Sequence, residues 1–268
     1  MTQDAVMDFS FLDHALQSAH QMANLARPLA REAWLNPKEV SFKEDGSFLT
    51  PADLAIERAW RHHLHLAFPD HAVQGEEYGS EKGIAEYTWV LDPIDGTRQF
   101  GMGLGNFATL IALCDGMGRP VVGVIDLPLM DVRYCAARGQ GAYLNDRRLN
   151  VSNATLLGEA LAMLANQNSF THTDAVAYEN LRSSVGQAAF DAGSPAYGAL
   201  AAGKVDLCLN GGDLNAHDIC ALVPVVEEAG GMITNWQGEA LGLWSSGAIL
   251  ASASPVLHQA ALDVLTKE

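Results

Sequence analysis

Apolar residues between positions 9 and 34 recur at helical spacing: Phe11, Leu12, Ala15, Leu16, Ala19, Met22, Ala23, Ala26, Leu29 and Ala30 share one face. The pattern predicts a helix that ends near the Asn36-Pro37 break. Residues 37 to 49 are polar and read as a loop or a short β-hairpin. A second helix is expected from about Pro51 to Phe68, with Thr50 as its cap, Pro51 in the first helical position and Asp53 three residues after the cap.

From Ala72 the period shortens. Apolar runs at Tyr87–Leu91, Ala108–Cys114, Val121–Ile125, Val132–Ala137 and Gly141–Leu144 are punctuated by turn residues and predict strands of a largely antiparallel sheet. After Asn153 strands and helices alternate. Strands are expected at Ala160–Leu164, Val205–Leu209 and Gly247–Ala251; helices at Ala175–Val185, Ala196–Ala202, His217–Ala229 and Pro255–Leu265. The chain therefore reads as an α+β first half, about residues 1–153, and an α/β second half, about 154–268. No repeat and no Pro- or Ser-rich linker separates them. One domain of two tightly packed subdomains is expected.

Composition narrows the class. Hydrophobic residues make up 49% and charged residues 18% of 268 positions, which excludes disorder as the default. No apolar stretch reaches the roughly 20 residues that cross a bilayer. The first residues, M-T-Q-D-A-V-M-D, are acidic and polar rather than basic then apolar, so a cytoplasmic protein is expected. Cys114, Cys135, Cys208 and Cys220 show no C-x-x-C pairing and read as reduced, mostly core thiols. The net charge is −16, and between Ser152 and Thr266 the basic residues are Arg182 and Lys204. Such a surface repels nucleic acid and anionic lipid. An anionic substrate needs a local reversal of that field, which a bound cation supplies best.

The acidic motifs bear on that point. In W-V-L-D-P-I-D-G-T, Trp89–Thr97, an apolar strand delivers Asp92, the following proline holds it extended, and the chain turns through Asp95-Gly96. Two carboxylates on a stiff turn suit a hard divalent cation, and Gly96 lets a ligand approach the backbone. The N–H groups of Gly96 and Thr97, if they open a helix, face an anion. Taken alone, the segment reads equally as an acidic surface turn. Gly75-Glu76-Glu77-Tyr78-Gly79 is a second acidic pair, with a solvated loop as the simpler reading. Asp218 and Asp53 each follow a helix cap (Asn215, Thr50) by three residues, which a capping box explains without catalysis. His217 is a weak candidate for a hard metal, and His62, His63 and His65 do not share one helix face, so zinc is not indicated.

Together, T-P-A-D around Asp53, G-E-E at Gly75–Glu77, W-V-L-D-P-I-D-G-T and a late Asp opening a helix that ends in E-E-A-G-G resemble the inositol monophosphatase family of Mg2+-dependent phosphatases over nearly the whole chain. The resemblance implies a layered α-β-α-β-α sandwich, commonly a homodimer, that hydrolyses a small phosphate ester with two or three Mg2+ ions. It implies that Glu76, Asp92, Asp95, Asp218 and the carbonyl of Ile94 hold metal. Asp53 and Thr97, hydrogen-bonded to each other, would activate the attacking water. Lys43 would lie near the phosphate or a third metal, and Gly96 and Thr97 would cradle the phosphate.

Within the family, G-E-E-Y-G, D-G-T-R with Arg98, and the run around Ala196–Gly203 resemble the histidinol-phosphate phosphatase subgroup, so L-histidinol phosphate is the expected substrate. The chain departs from its relatives nearby. Ala192-Gly193 stands where the subgroup has Gly-Asp. Gly211 stands where many members have a substrate-contacting Glu, with Asp213 as a nearby substitute. His217 stands where an aromatic Trp or Tyr is usual. Alternatives are an inositol or broad sugar-phosphate monoesterase, then a 3′-phosphonucleotide or bisphosphate phosphatase, and a non-catalytic metal-binding relative.

Overall fold

The computed structural model describes residues 8–36, 41–42, 48–170 and 174–266. Helix α1, Phe9–Leu35, starts on the side chain of Asp8, which accepts from the N–H groups of Ser10 and Phe11, and stops at Asn36. A short hairpin pairs β1 (Ser41–Phe42) with β2 (Phe48–Leu49), as expected for the polar stretch. Lys43 lies outside the described residues. Helix α2, Pro51–Ala67, follows and packs beside α1.

Eight strands form the first sheet: β3 (Ala72–Gly75), β4 (Gly79–Glu81), β5 (Thr88–Asp95), β6 (Ala108–Cys114), β7 (Pro120–Leu127), β8 (Val132–Ala137), β9 (Gly141–Leu144) and β10 (Arg147–Arg148), in the order β10-β9-β8-β7-β6-β5-β3-β4. All pairs are antiparallel except β3 with β5. A five-residue helix, α3 (Thr97–Gly101), interrupts the run between β5 and β6. The second half holds β11 (Leu161–Leu164), α4 (Asp174–Ser184), β12 (Gln187–Phe190), α5 (Pro195–Ala201), β13 (Leu207–Asn210), α6 (Ala216–Ile219), α7 (Leu222–Glu228), β14 (Met232–Asn235), β15 (Ile249–Ser252) and α8 (Pro255–Leu265). Its sheet runs β12-β11-β13-β15-β14 and mixes parallel with antiparallel pairs.

The layers follow from which faces are apolar. Helices α1 and α2 cover one face of the first sheet; α5, α6 and α7 cover the other; α5 and α7 also meet the second sheet, and α8 with α4 closes its far side. This is the expected α-β-α-β-α sandwich. Its middle core joins Leu110, Ile125, Tyr197, Leu200, Val225 and Ile249, so residues of both halves share one apolar interior. All four cysteines are buried and free. No helix among the described residues is long and apolar enough to cross a membrane.

Two expectations need correcting. The helix expected over His217–Ala229 is two helices, α6 and α7. Pro224 has no N–H to give, and its ring crowds the carbonyl four residues back at Cys220, where the first helix stops. The junction packs against β7, where a Cβ at Gly123 would lie 2.3 Å from the Ala221 carbonyl oxygen. Strands β3, β4, β10, β12 and β14 were not expected. Of these, β4 and β10 are fully exposed and β12 nearly so, so they lack the alternation of apolar residues that marks a half-buried strand.

Candidate active site

Strand β5 delivers Asp92, but residues three apart in a regular strand point to opposite faces. The register between β5 and β6 shifts between Asp92 and Asp95, and Pro93 occupies that irregularity. The bulge turns both carboxylates to one side. Oxygens of Asp92, Asp95 and Asp218 then lie within 4.8 Å of one another. Gly96 adopts a left-handed conformation, φ 84°, which leads into α3 with Thr97 at its first position. Glu76 lies in the turn between β3 and β4, where its N–H donates to the Leu91 carbonyl at 3.1 Å. Its side chain meets Asp92 in a carboxyl–carboxylate hydrogen bond.

Both capping boxes form, and the second role is compatible with the first. At α2, the N–H and hydroxyl of Thr50 donate to Oδ2 of Asp53 at 2.8 and 2.6 Å. At α6, the N–H of Asn215 donates to Oδ2 of Asp218 at 2.7 Å. Each cap fixes one carboxylate oxygen and so aims the other. Oδ1 of Asp53 and Oδ1 of Asp92 are buried with no hydrogen-bond partner among the described residues. Orphaned buried acceptors are costly, about 1–3 kcal/mol each and more when charged.

Electrostatics agree with geometry. Burial, then Glu76, Asp95 and Asp218, pushes Asp92 well above the ordinary carboxylate range. Burial pushes Asp218 up to about 8, with Asp95 adding to it. Asp53 is pushed up to about 6, again chiefly by burial. Asp95 is raised by burial, against the opposing hydrogen bonds from Ser194. A cluster of like charges with oxygen donors and unpartnered lone pairs fits a hard divalent cation, which would be held by Asp92, Asp95 and Asp218 with Glu76 beside them.

Two features were invisible to sequence reasoning. Ser194, at the start of α5, donates its N–H to Oδ2 of Asp95 at 3.1 Å and its hydroxyl to the same oxygen at 2.5 Å. It follows a backbone twist through Asp191 (φ 61°) and Gly193 (φ 60°), where a Cβ at Gly193 would lie 3.3 Å from the same Asp95 oxygen. Glu57, fully buried, lies beneath Gly75. The second half thus orients a residue of the first.

The expected Asp53–Thr97 hydrogen bond is absent. The Thr97 hydroxyl donates to the Ile94 carbonyl at 2.9 Å, while Asp53 is engaged by Thr50. With one hydroxyl hydrogen, Thr97 cannot donate to both. Arg98 and Asp213 are exposed. Asp213 acts on Asp218 through space, and His217 Nε2 lies 3.4 Å from Asp218 Oδ2. A side chain at Gly211 has no room: its Cβ would lie 2.0 Å from the Ser169 carbonyl oxygen. The backbone of residue 169 fills that space.

The model of the inositol monophosphatase family matches residues 11–267. The chain is 34% identical over 264 residues to the bifunctional phosphatase IMPL2 of Arabidopsis thaliana, covering 95% of this chain and 75% of that protein. It is 32% identical over 236 residues to a histidinol-phosphatase of Streptomyces coelicolor, covering 85% and 86%. Among solved structures, an inositol monophosphatase from Zymomonas mobilis superposes with a TM-score of 0.87 at 31% identity, covering 95% and 98%.

Proposed function

The chain belongs to the inositol monophosphatase family and hydrolyses phosphate monoesters, and on that premise we propose that it is a Mg2+-dependent histidinol-phosphatase. The observation that carries the chemistry is the carboxylate cluster of Asp92, Asp95 and Asp218, together with the buried, unpartnered oxygens of Asp92 and Asp53. When bound, divalent cations supply positive charge to the phosphoryl oxygens and polarise the attacking water. Glu76, Asp92, Asp95, Asp218 and the Ile94 carbonyl hold them, and two or three ions suit that number of donors. Oδ1 of Asp53 has no other partner among the described residues; a carboxyl raised to about 6 can accept a proton from water near neutrality. Thr97 orients that water after its hydroxyl turns from Ile94. The N–H groups of Gly96 and Thr97 receive phosphate oxygens, with Arg98 on the approach.

The substrate reading rests on likeness to a histidinol-phosphatase and on charge. A molecule of net charge −16 with exposed Asp213 beside Asp218 favours a phosphate ester whose other end is cationic. Asp213 pairs with that cation, and His217 lies at the same rim. An inositol or broad sugar-phosphate monoesterase is the second reading, supported by the Zymomonas mobilis neighbour. Scarce Lys and Arg weigh against esters with two phosphates. Leu35, Met102, Leu104 and Met130 are exposed apolar side chains, and we also read the protein as a homodimer, as the family resemblance implies.

The test is Mg2+-dependent phosphate release from histidinol phosphate, inositol 1-phosphate, glycerol 2-phosphate, fructose 1,6-bisphosphate and 3′-phosphoadenosine 5′-phosphate. Histidinol phosphate is expected to show the highest kcat/KM. Turnover no faster than glycerol 2-phosphate removes the substrate assignment, and no release from any ester points to a non-catalytic metal-binding relative.

A further inference from the structure

Helix α2 carries more than Asp53. One and two turns farther along the same face stand Glu57 and Arg61. Glu57 is completely buried, and its carboxylate is saturated by three donors: the N–H of Glu77 at 2.7 Å, the N–H of Tyr78 at 3.2 Å and Nε of Arg61 at 2.8 Å. Arg61 continues outward. Its Nη2 donates to the Gly79 carbonyl, its Nη1 reaches Oε2 of Glu81 at 3.4 Å, and its guanidinium lies 6.0 Å from the Tyr78 ring centroid. On the other side of Glu76, Gly75 rests directly on the carboxylate. A Cβ there would stand 2.0 Å from Oε1 of Glu57.

We propose that Glu57 and Arg61 form a clamp that sets the position of Glu76 relative to Asp53, which makes Glu57 a positioning residue for the cation site. The inference rests on the reading of Glu76 as a cation ligand. Backbone on both sides of Glu76 is fixed to a single carboxylate, and that carboxylate grows from the helix whose first turn holds Asp53. A helix turn is a rigid spacer of about 5.4 Å. A charged acceptor holding two loop N–H groups is stronger than a neutral one. The turn is held at its base by the β3–β4 pairing and by the Leu91 carbonyl, and its far side is fixed by α2 through Glu57. Gly75 is required because any side chain would displace the carboxylate. The same arrangement explains why two adjacent glutamates, whose simplest reading in isolation is a solvated loop, present Glu76 inward to Asp92.

The experiment measures cation binding in the full chain by Mn2+ calorimetry without substrate, the Mg2+ dependence of phosphate release, and hydrogen exchange at the amides of Glu77 and Tyr78 in the cation-free protein. Glu57→Gln keeps the volume but sets an amide donor against one of the three donors it must accept. Its half-saturating Mg2+ and its Mn2+ dissociation constant are expected to rise tenfold or more, with faster exchange at both amides and partial recovery of kcat at high Mg2+. Arg61→Ala, at the rim, is expected to shift the same constants a few-fold, and it decides the matter if Glu57→Gln does not fold. Ser254→Ala removes the cap of α8 and lowers Tm without altering either ion constant, which separates lost stability from lost positioning. Parental Mn2+ binding in Glu57→Gln and Arg61→Ala overturns the clamp. Glu76→Gln distinguishes the two layers of the argument: weakened binding there with normal binding in Glu57→Gln overturns the clamp alone, whereas normal binding in Glu76→Gln overturns the reading of Glu76 itself.

Discussion

Asp126 and Asp92 are buried aspartates on strands of the same sheet, β7 and β5. Asp126 is met by Arg27 from α1 at 2.8 and 2.9 Å and by Arg133 from β8 at 2.6 Å. Asn24 and His20 complete the ring by binding Arg133. The hydrogen bond to Asp126 raises the pKa of Arg27. Asp92 is surrounded instead by Glu76, Asp95 and Asp218, and burial together with these neighbours raises its own pKa. One carboxylate has its counter-charge written into the chain; the other has only more negative charge. A buried charge without a partner is unstable unless it is neutralised by a proton or by a cation. The first cluster is therefore a structural tie between α1 and the sheet, and the second is a receptor for something the chain does not encode.

The largest expected difference is in turnover. Asp95→Asn or Thr97→Ala should lower phosphate release by about a thousandfold or more, since a lost cation ligand or a lost water-orienting hydroxyl removes several kcal/mol of transition-state stabilisation. Asp126→Asn should leave kcat per folded molecule near the parental value. Near-normal turnover in Asp95→Asn or Thr97→Ala would break the site assignment.

Stability should move the other way. In urea unfolding with chelator present, Asp126→Asn is expected to cost about 3–5 kcal/mol, because it strands two arginines. Asp92→Asn relieves repulsion and is expected to raise the stability of the cation-free protein by about 1 kcal/mol. A loss in Asp92→Asn as large as that in Asp126→Asn would erase the distinction between the clusters.

The smallest effect is on pH dependence. Asp53 and Asp218 are raised to about 6 and about 8 from an ordinary value near 3.8. The folded, cation-free protein then holds protons that the unfolded chain releases. That contribution is complete below about pH 4 and is lost as pH rises through about 8. Cation-free Tm should thus decline from pH 5 to pH 8 more steeply for the parent than for Asp218→Asn, and saturating Mg2+ should flatten the decline. Equal slopes in the two proteins would refute it; differential scanning calorimetry at both pH values reads it directly.

Much of the fold was legible because its signals are local. The face of α1 and the runs of β6, β8 and β9 match their predicted bounds, since burial of a helix stripe or of a strand imposes a short repeat. The strand β12 was missed because an edge strand with little burial imposes none. Within the site, Asp92 and Asp95 were marked by motif spacing and Asp218 only by the family resemblance, and the structure brings them together. The roles of Asp53 and Asp218 stayed ambiguous in sequence because a capping box and a catalytic carboxylate look alike; each uses Oδ2 for the cap, and Asp53 keeps Oδ1 without a partner among the described residues.

The sequence itself carries the order of the main helices and buried strands, the stiff turn through Asp92 to Gly96, the two caps and the negative charge that calls for a cation. Tertiary packing settles which oxygens are left unpartnered among the described residues, that Ser194 holds Asp95 from 99 positions away, that Glu57 supports the turn around Glu76, and that Ser169 closes the space at Gly211. The reason is range. Periodicity and capping act between residues a turn or two apart, whereas the aim of a buried carboxylate is set by groups that are neighbours only after the two sheets have packed.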